Sequence, residues 1–450
     1  MKSFKSLIII LFLLTTLRVS SQTISGTFFN LPQQKVYLNA YRGLYLELID
    51  SVMMSIDKRV EFNTPLVKGM YQIETEHGFT MDLLYEDGDI SFLLKDADKI
   101  EEVEFIDSQL NADWYKYLIR KNEMLKSQKL LLPLVRSYNK NSEFYIETKN
   151  EYNRLQESFD SFTDSLLKND NYASTLIRVD KLPYIDIELD YEKQRNELIA
   201  NFFNDVDFND LSLIPTNVLT TKILDFLSLQ QVPGQSEEQQ MMAIILAVDN
   251  VLYRATVNFE MYKFIFQYLI EGFNVLAYDE IVDYMTRIPY SEELVCDDSQ
   301  YEELHSIVEF NSRVKIGSKA ENISGVTIFN EEFDMYEIDS DFTIVYFWSY
   351  SCGHCRENIK HLKTFLEENR DFTMVAVSVK GDLKKIKSLV KKNKVNSYFY
   401  HDGLEWNSPH VNNYAVTSTP SFYILDKNKN IIYKPFDFEE FVQFVNIIKQ

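Results

Sequence analysis

The chain of 450 residues has only three cysteines, Cys296, Cys352 and Cys355. So few thiols exclude a framework of structural disulfides. Glycine is missing between Gly88 and Gly234, and the apolar periodicity across that gap is helical. Positive charge is in deficit: 46 Lys and Arg against 68 Asp and Glu leave a formal charge of -22. A surface this acidic does not suit nucleic acid or an anionic membrane face. Beyond the first 21 residues no stretch is long and apolar enough to span a bilayer.

What is present argues for a folded, multidomain protein. Apolar residues make up 45% and aromatics 14%, with 28 Tyr and 32 Phe, which excludes a disordered chain. The length exceeds one ordinary core, so two or three domains are expected. At the start, Lys2 and Lys5 precede an apolar run from Leu7 to Leu17, and Val19-Ser20-Ser21 supplies small residues before Gln22. That pattern predicts a signal peptide over 1–21, in preference to an uncleaved anchor, and a periplasmic, secreted mature chain. Removing Lys2, Lys5 and Arg18 would take the charge from -22 to -25. No cysteine lies near the cleavage point, which argues against a lipid anchor.

Residues 22–105 read as a small antiparallel β-sandwich. Short β-type runs at 23–29, 35–41, 45–55, 59–62, 70–74, 80–85 and 90–94 are separated in several places by turn residues such as Glu86-Asp87-Gly88-Asp89. From 110 to 310 the pattern predicts an all-α domain. Tyr145, Thr148, Tyr152, Leu155, Phe159, Phe162 and Leu166 step by three and four along one helix side, a stripe assigned to packing between helices. Ser236-Glu237-Glu238-Gln239 has the form of a capping box and starts another helix. The last unit, 314–450, alternates strands and helices and ends in a hairpin and a helix, an α/β order.

Inside it lies the decisive motif, Cys352-Gly353-His354-Cys355. Ahead of it runs Thr343-Ile344-Val345-Tyr346-Phe347-Trp348, strand-like; after it, apolar residues at 359, 362, 365 and 366 mark a helix. A CxxC pair at such a junction puts the first sulfur over a helix N-terminus, where unpaired N–H groups and the helix dipole favour a thiolate. Zinc sites also use CxxC, but no two further ligands stand at related spacing. His361, His401 and His410 are assigned to surface or packing, so no metal and no cofactor is expected. Lys384, Lys385, Lys387, Lys391, Lys392 and Lys394 read as a solvated helix face. Cys296 reads as a partly buried free thiol, with a third redox partner for Cys352 as the sharper alternative.

Phe347-Trp348, the CGHC motif, and Thr419-Pro420 ahead of Ser421-Phe422-Tyr423-Ile424-Leu425 together resemble the TlpA/ResA branch of thioredoxin-like thiol–disulfide oxidoreductases of bacterial envelopes. The resemblance covers about 314–450. The first 300 residues are similar, less specifically, to the β domain and helical segment joined to such units, which have no established chemistry. The resemblance implies a thioredoxin fold and a cis Pro420, with Thr419 and Trp348 at the substrate side, the tryptophan packing under the site rather than touching substrate. Within the motif, Cys352 is the expected attacking thiolate and Cys355 the resolving thiol. His354 is placed to favour the thiolate. Three departures stand out. Ser351 replaces an aromatic residue before the first cysteine, and Tyr346 stands where thioredoxin has a buried acid. Asn358 and Lys360 replace a glutamate and a proline, so no helix kink is expected.

These features predict an enzyme exchanging the Cys352–Cys355 dithiol with disulfide-containing envelope proteins, as a reductase re-reduced by a membrane electron donor. The alternative is a binding protein whose front domains capture a partner or ligand, with the thioredoxin domain secondary.

Overall fold

The computed structural model describes residues 22–287, 298–391 and 397–449. The expected leader, Cys296, Lys392 and Lys394 lie outside the described residues. By contacts, the chain divides into two compact units, Met1–Phe226 and Leu227–Gln450.

In the first unit the strands are β1 (Ile24–Phe28), β2 (Lys35–Arg42), β3 (Tyr45–Met53), β4 (Arg59–Phe62), β5 (Gly69–Thr75), β6 (Thr80–Tyr85), β7 (Ile90–Leu94) and β8 (Glu104–Phe105). They form two four-stranded sheets, ordered β4-β1-β7-β8 and β3-β2-β5-β6. Burial alternates strictly along β1 and β7, the signature of strands with one face on a core. One pairing departs from the antiparallel expectation. β1 and β7 run parallel, from Ile24 opposite Ile90 to Phe28 opposite Leu94, so that sheet is mixed. Parallel neighbours need a long connection, and here strands β2 to β6 supply it. Gly26 allows the pairing, because a Cβ there would stand 2.1 Å from Cζ of Phe92, its register partner.

Helices follow: α1 (Gln109–Ser137), α2 (Glu143–Leu167), α3 (Tyr172–Asp180), α4 (Tyr191–Asn201) and α5 (Val218–Ser228). Ser108 caps α1 by accepting from Asn111 N–H at 3.3 Å. Asn111, fully buried, then locks α1 to β6: it accepts from Leu84 N–H at 2.7 Å and donates to the Leu84 carbonyl at 2.8 Å. On α2, Tyr145, Thr148, Tyr152, Phe159 and Leu166 of the stripe are buried, whereas Leu155 and Phe162 are only half-buried. The division between units falls inside α5. The 110–310 stretch expected as one helical domain is helical, but it is shared between two compact bodies.

The second unit opens with α6 (Glu237–Ala255), α7 (Phe259–Val275), α8 (Asp279–Met285) and α9 (Asp298–Ser312). The capping box forms on α6: Gln239 N–H donates to Ser236 Oγ at 3.2 Å, and Ser236 N–H donates to Gln239 Oε1 at 3.0 Å. A small hairpin, β9 (Ser324–Val326) and β10 (Glu332–Asp334), leads into β11 (Phe342–Ser349), α10 (Gly353–Glu368), β12 (Phe372–Lys380), α11 (Leu383–Lys391), β13 (Ser397–Tyr400), α12 (Pro409–Asn413), β14 (Ser421–Leu425), β15 (Ile431–Tyr433) and α13 (Phe438–Ile448).

The five-stranded sheet has the order β13-β12-β11-β14-β15. β11 is central, parallel to β12 and antiparallel to β14. It is covered on both faces, which explains its unbroken apolar run. Ile344, Tyr346 and Trp348 pack with Ile359, Leu362, Phe441 and Val445, while Val345 and Phe347 pack with Val375, Val411 and Tyr414 on the other face. This is a thioredoxin-type α/β domain, and the chain as a whole is multidomain. No helix among the described residues is long and apolar enough to cross a membrane.

Lys222 on α5 is a buried cation in the first unit, only 4% exposed. Its ammonium donates to the Lys181 carbonyl at 2.6 Å and lies 4.5 Å from the Phe202 ring centroid. Burial lowers its pKa to about 8. A lysine depressed on folding penalises the folded state while it is charged, and the penalty lifts as pH rises from the folded pKa towards the ordinary value. Relative to Lys222→Met, the unmodified protein should therefore gain about 2 kcal/mol of stability between pH 7.5 and 9.5. Urea midpoints of both proteins across that range check this; a difference that stays flat would show that Lys222 keeps an ordinary pKa.

Candidate functional site

Strand β11 delivers the motif. Its last residues turn through Tyr350 and Ser351, and Cys352 becomes the N-cap of α10 with an extended backbone (φ -75°, ψ 117°). Cys352 Sγ accepts from Cys355 N–H at 3.1 Å, the place a serine or aspartate oxygen takes in an ordinary cap. The two cysteines are disulfide-bonded, with Cα atoms 5.2 Å apart. Cys352 is half-buried and Cys355 has no exposed surface. Only one sulfur of the pair can therefore be reached from solution.

The opposite wall is the loop before β14. The Thr419–Pro420 bond is cis. Thr419 and Pro420 are half-buried, and the Thr419 carbonyl oxygen lies 3.7 Å from Cys352 Sγ. Residues separated by 67 positions thus meet at one sulfur. His354 sits exposed in the first turn of α10 between the cysteines.

Trp348, expected on the substrate side but packed under the site, is 0% exposed and packs in the cluster with Cys355 and Ile359, so it does not reach substrate. Strand alternation turns positions 346 and 348 inward under α10, so Trp348 supports the motif from below.

Tyr346, at the position expected of a buried acid in thioredoxin, is fully buried and donates to the Cys355 carbonyl at 3.0 Å. Burial pushes its phenol above the ordinary tyrosine range, so it stays neutral. Its ring packs on Phe422 at 4.7 Å, tying α10, β11 and β14 together. Ser351 forms a hydroxyl pair with Ser349 at 2.8 Å. α10 runs unbroken from Gly353 to Glu368 and contains no proline.

Two residues escaped the sequence reading. Arg356 donates to the Tyr350 carbonyl, and its guanidinium lies 5.6 Å from the Tyr350 ring centroid, bracing the turn before Cys352. Gly381 has φ +146°, and a Cβ there would stand 2.5 Å from Tyr350 Cβ. Only glycine lets the chain leaving β12 pass so close to that turn. The Asp382-preceding glycine was a visible turn signal; the arginine had no distinguishing pattern.

The histidines outside the motif are engaged elsewhere. His361 stacks on Phe438 at 5.3 Å, His401 Nδ1 lies 3.0 Å from the Ser378 carbonyl oxygen, and His410 packs edge-on to Tyr400 at 5.2 Å. Among the described residues no group of three or more His, Cys, Asp or Glu is placed to hold a metal ion.

Residues 340–431 match the family described as thioredoxin-like. Among solved structures, a thioredoxin-like protein from Bacteroides caccae is 17% identical, with a TM-score of 0.40; the match covers 60% of this chain and 98% of that one. A domain of a possible thiol–disulfide isomerase from Cytophaga hutchinsonii is 24% identical over 30% of this chain and 92% of that one, with a TM-score of 0.27. A thiol:disulfide interchange protein from a Bacteroides species is 19% identical over 30% and 90%, again with a TM-score of 0.27. Among curated proteins none matches the chain. The C-terminal domain is thioredoxin-like, and within it Cys352 and Cys355 are disulfide-bonded at the start of α10.

Tyr346→Phe removes one buried hydrogen bond and no charge. It should lower stability by about 1 kcal/mol, equally at pH 6 and pH 9, because the phenol does not titrate in that range. Denaturation at the two pH values tests this; a loss appearing at one pH only would contradict a neutral phenol.

Proposed function

We propose that the protein is a thiol–disulfide oxidoreductase that works as a reductase of disulfides in other proteins. The observation that carries the reading is the asymmetry of the pair: a reachable Cys352 capping a helix N-terminus, and a fully buried Cys355 bonded to it. In the reduced enzyme the Cys352 thiolate attacks one sulfur of a substrate disulfide. An enzyme–substrate mixed disulfide forms, and the other substrate sulfur leaves as a thiolate and takes up a proton. Cys355, deprotonated, then attacks Cys352 Sγ. The Cys352–Cys355 disulfide forms and the second substrate thiol is released. Two electrons pass from the enzyme dithiol to the substrate, and a dithiol donor must restore them.

The half-buried backbone at Thr419 is positioned to pair with an extended substrate segment. His354, exposed beside the sulfur, would favour the thiolate when protonated. The leader pattern supports a periplasmic location, with envelope proteins as substrates and a membrane electron donor. A binding protein with a secondary thioredoxin domain is the weaker reading, since both cysteines are intact.

Cys352→Ser should abolish reduction of a model disulfide, and Cys355→Ser should accumulate mixed disulfides through residue 352; faster alkylation of Cys355 than Cys352 at low pH would sink the assignment. The couple should lie at about -180 to -250 mV, and His354→Pro should move it to more negative values by removing a charge that favours the thiolate. Equilibration with glutathione or dithiothreitol buffers reads both; an unchanged potential would make His354 a bystander.

A further inference from the structure

The chain carries a large excess of acid, yet helix α11 bears four lysines, Lys384, Lys385, Lys387 and Lys391, and no acid. Lys384, Lys385 and Lys391 are exposed and Lys387 is half-buried. Lys384, Lys387 and Lys391 stand at i, i+3 and i+7, on one side of the helix. The other side is anchored: Ile386 and Val390 are fully buried in the same core as Trp348 and Cys355.

Two features set these lysines apart. The first is the lack of counter-charge. In the same domain Lys360 stands 2.7 Å from Glu357, Lys427 3.6 Å from Asp339 and Lys449 3.3 Å from Asp371. Lys380, just ahead of the helix, stands 4.0 Å from Glu405. Among the described residues no carboxylate lies within ion-pair distance of the four lysines on α11. Like charges three and four apart on a helix repel, so the fold gains nothing by grouping them. The second feature is position. Tyr350 N–H donates to the Lys380 carbonyl at 2.8 Å. A Cβ built on Gly381 would stand 2.5 Å from Tyr350 Cβ and 3.3 Å from Ile386 Cδ1. The start of α11 is therefore held against the turn that leads, two residues beyond Tyr350, to Cys352.

We propose that the lysine face of α11 is the docking surface for an acidic face of the protein whose disulfide exchanges with Cys352. The inference rests on the redox function proposed above and names its substrate class, disulfides set in acidic surroundings. A standard interface covers about 800 Å² on each partner, a disc of about 16 Å radius. Centred on Cys352, that disc takes in the start of α11, and Lys391 lies about 10 Å along the helix from Lys384. A partner rich in acid is repelled by a chain of formal charge -22 and drawn to this face. Complementary charge speeds encounter and fixes orientation, over a range of about 10 Å at 0.1 M salt. An anionic lipid surface lying on the same lysines would cover the reacting sulfur, so the position beside Cys352 favours a protein partner.

The test uses the reduced full-length chain and peptides closed by one internal disulfide, each with a tail of four Asp, four Asn or four Lys. Reducing the peptide takes two electrons and two protons from the Cys352–Cys355 dithiol, and the second-order rate constant is read at low and high salt. The Asp-tailed peptide should react roughly five-fold faster than the Asn-tailed one at low salt, the Lys-tailed one slowest, and the order should vanish at about 0.5 M salt. Lys384→Glu with Lys391→Glu should abolish the advantage, and Lys384→Gln with Lys391→Gln should lower it part-way. Lys427→Glu with Lys449→Glu makes the same change of charge at the opposite end of the sheet, just after β14 and beside the start of β12, and should keep it. An advantage that survives in both α11 pairs, or falls equally in the Lys427 and Lys449 pair, would overturn the docking surface. So would lysine-dependent binding to phosphatidylglycerol vesicles without any peptide preference, which would give the face to lipid. Equal rates on all three peptides would overturn the surface and leave the redox function standing. No reduction of any peptide, together with an inert Cys352, would remove both.

Discussion

The hydrogen bond from Cys355 N–H to Cys352 Sγ is the contact on which the chemistry turns. It makes the first sulfur the cap of α10 and aims the free N–H groups of the helix at one atom. A helix terminus favours a nearby charge by about 0.3–1 kcal/mol when exposed, and up to about 2 when partly buried. Since one pKa unit is about 1.4 kcal/mol, the dipole supplies on the order of one unit of thiolate stabilisation. The direct N–H bond and the neighbouring imidazole are the groups available for more. β11 holds this arrangement still: every residue from Thr343 to Ser349 is buried, and Tyr346 bonds its phenol to the same residue whose N–H makes the cap.

Much of this was legible in the sequence, for a physical reason. A strand covered on both faces and a helix with one apolar side write their periods directly into the chain, so β11 and α10 could be placed to within a residue or two. The strands of the first unit announced themselves likewise through alternation and turn residues. Pairing partners did not. Alternation fixes which face of β1 and β7 is buried but says nothing about direction, so their parallel pairing stayed hidden. Trp348 shows why nearness in sequence to Cys352 does not place a side chain at the surface: strand alternation sends its ring under the helix.

Helix α7 shows a subtler limit. Glu271 and Asn274 stand three apart on α7, a helix otherwise rich in buried Phe, Ile, Leu and Met. Two polar residues one turn apart on an apolar face are a readable sign of something they bond to. Asn274 accepts from Lys434 Nζ at 2.9 Å, a residue 160 positions further on, and no local pattern links the two. The acid missing beneath the cysteines was readable at once, whereas its replacement by a phenol bonded to the backbone required the structure.

The disulfide at the site spans a separation of only three residues. Crosslinks stabilise folds mainly by restricting the unfolded chain, and the effect grows with the loop they close; one this short contributes at the low end, about 2 kcal/mol in the chain-entropy model. By linkage the fold imposes only about that much on the couple through the loop it closes, a shift of roughly 40 mV for two electrons. The electron affinity of this pair is then a property of a few atoms around Cys352, open to evolutionary adjustment one neighbour at a time without endangering the rest of the molecule.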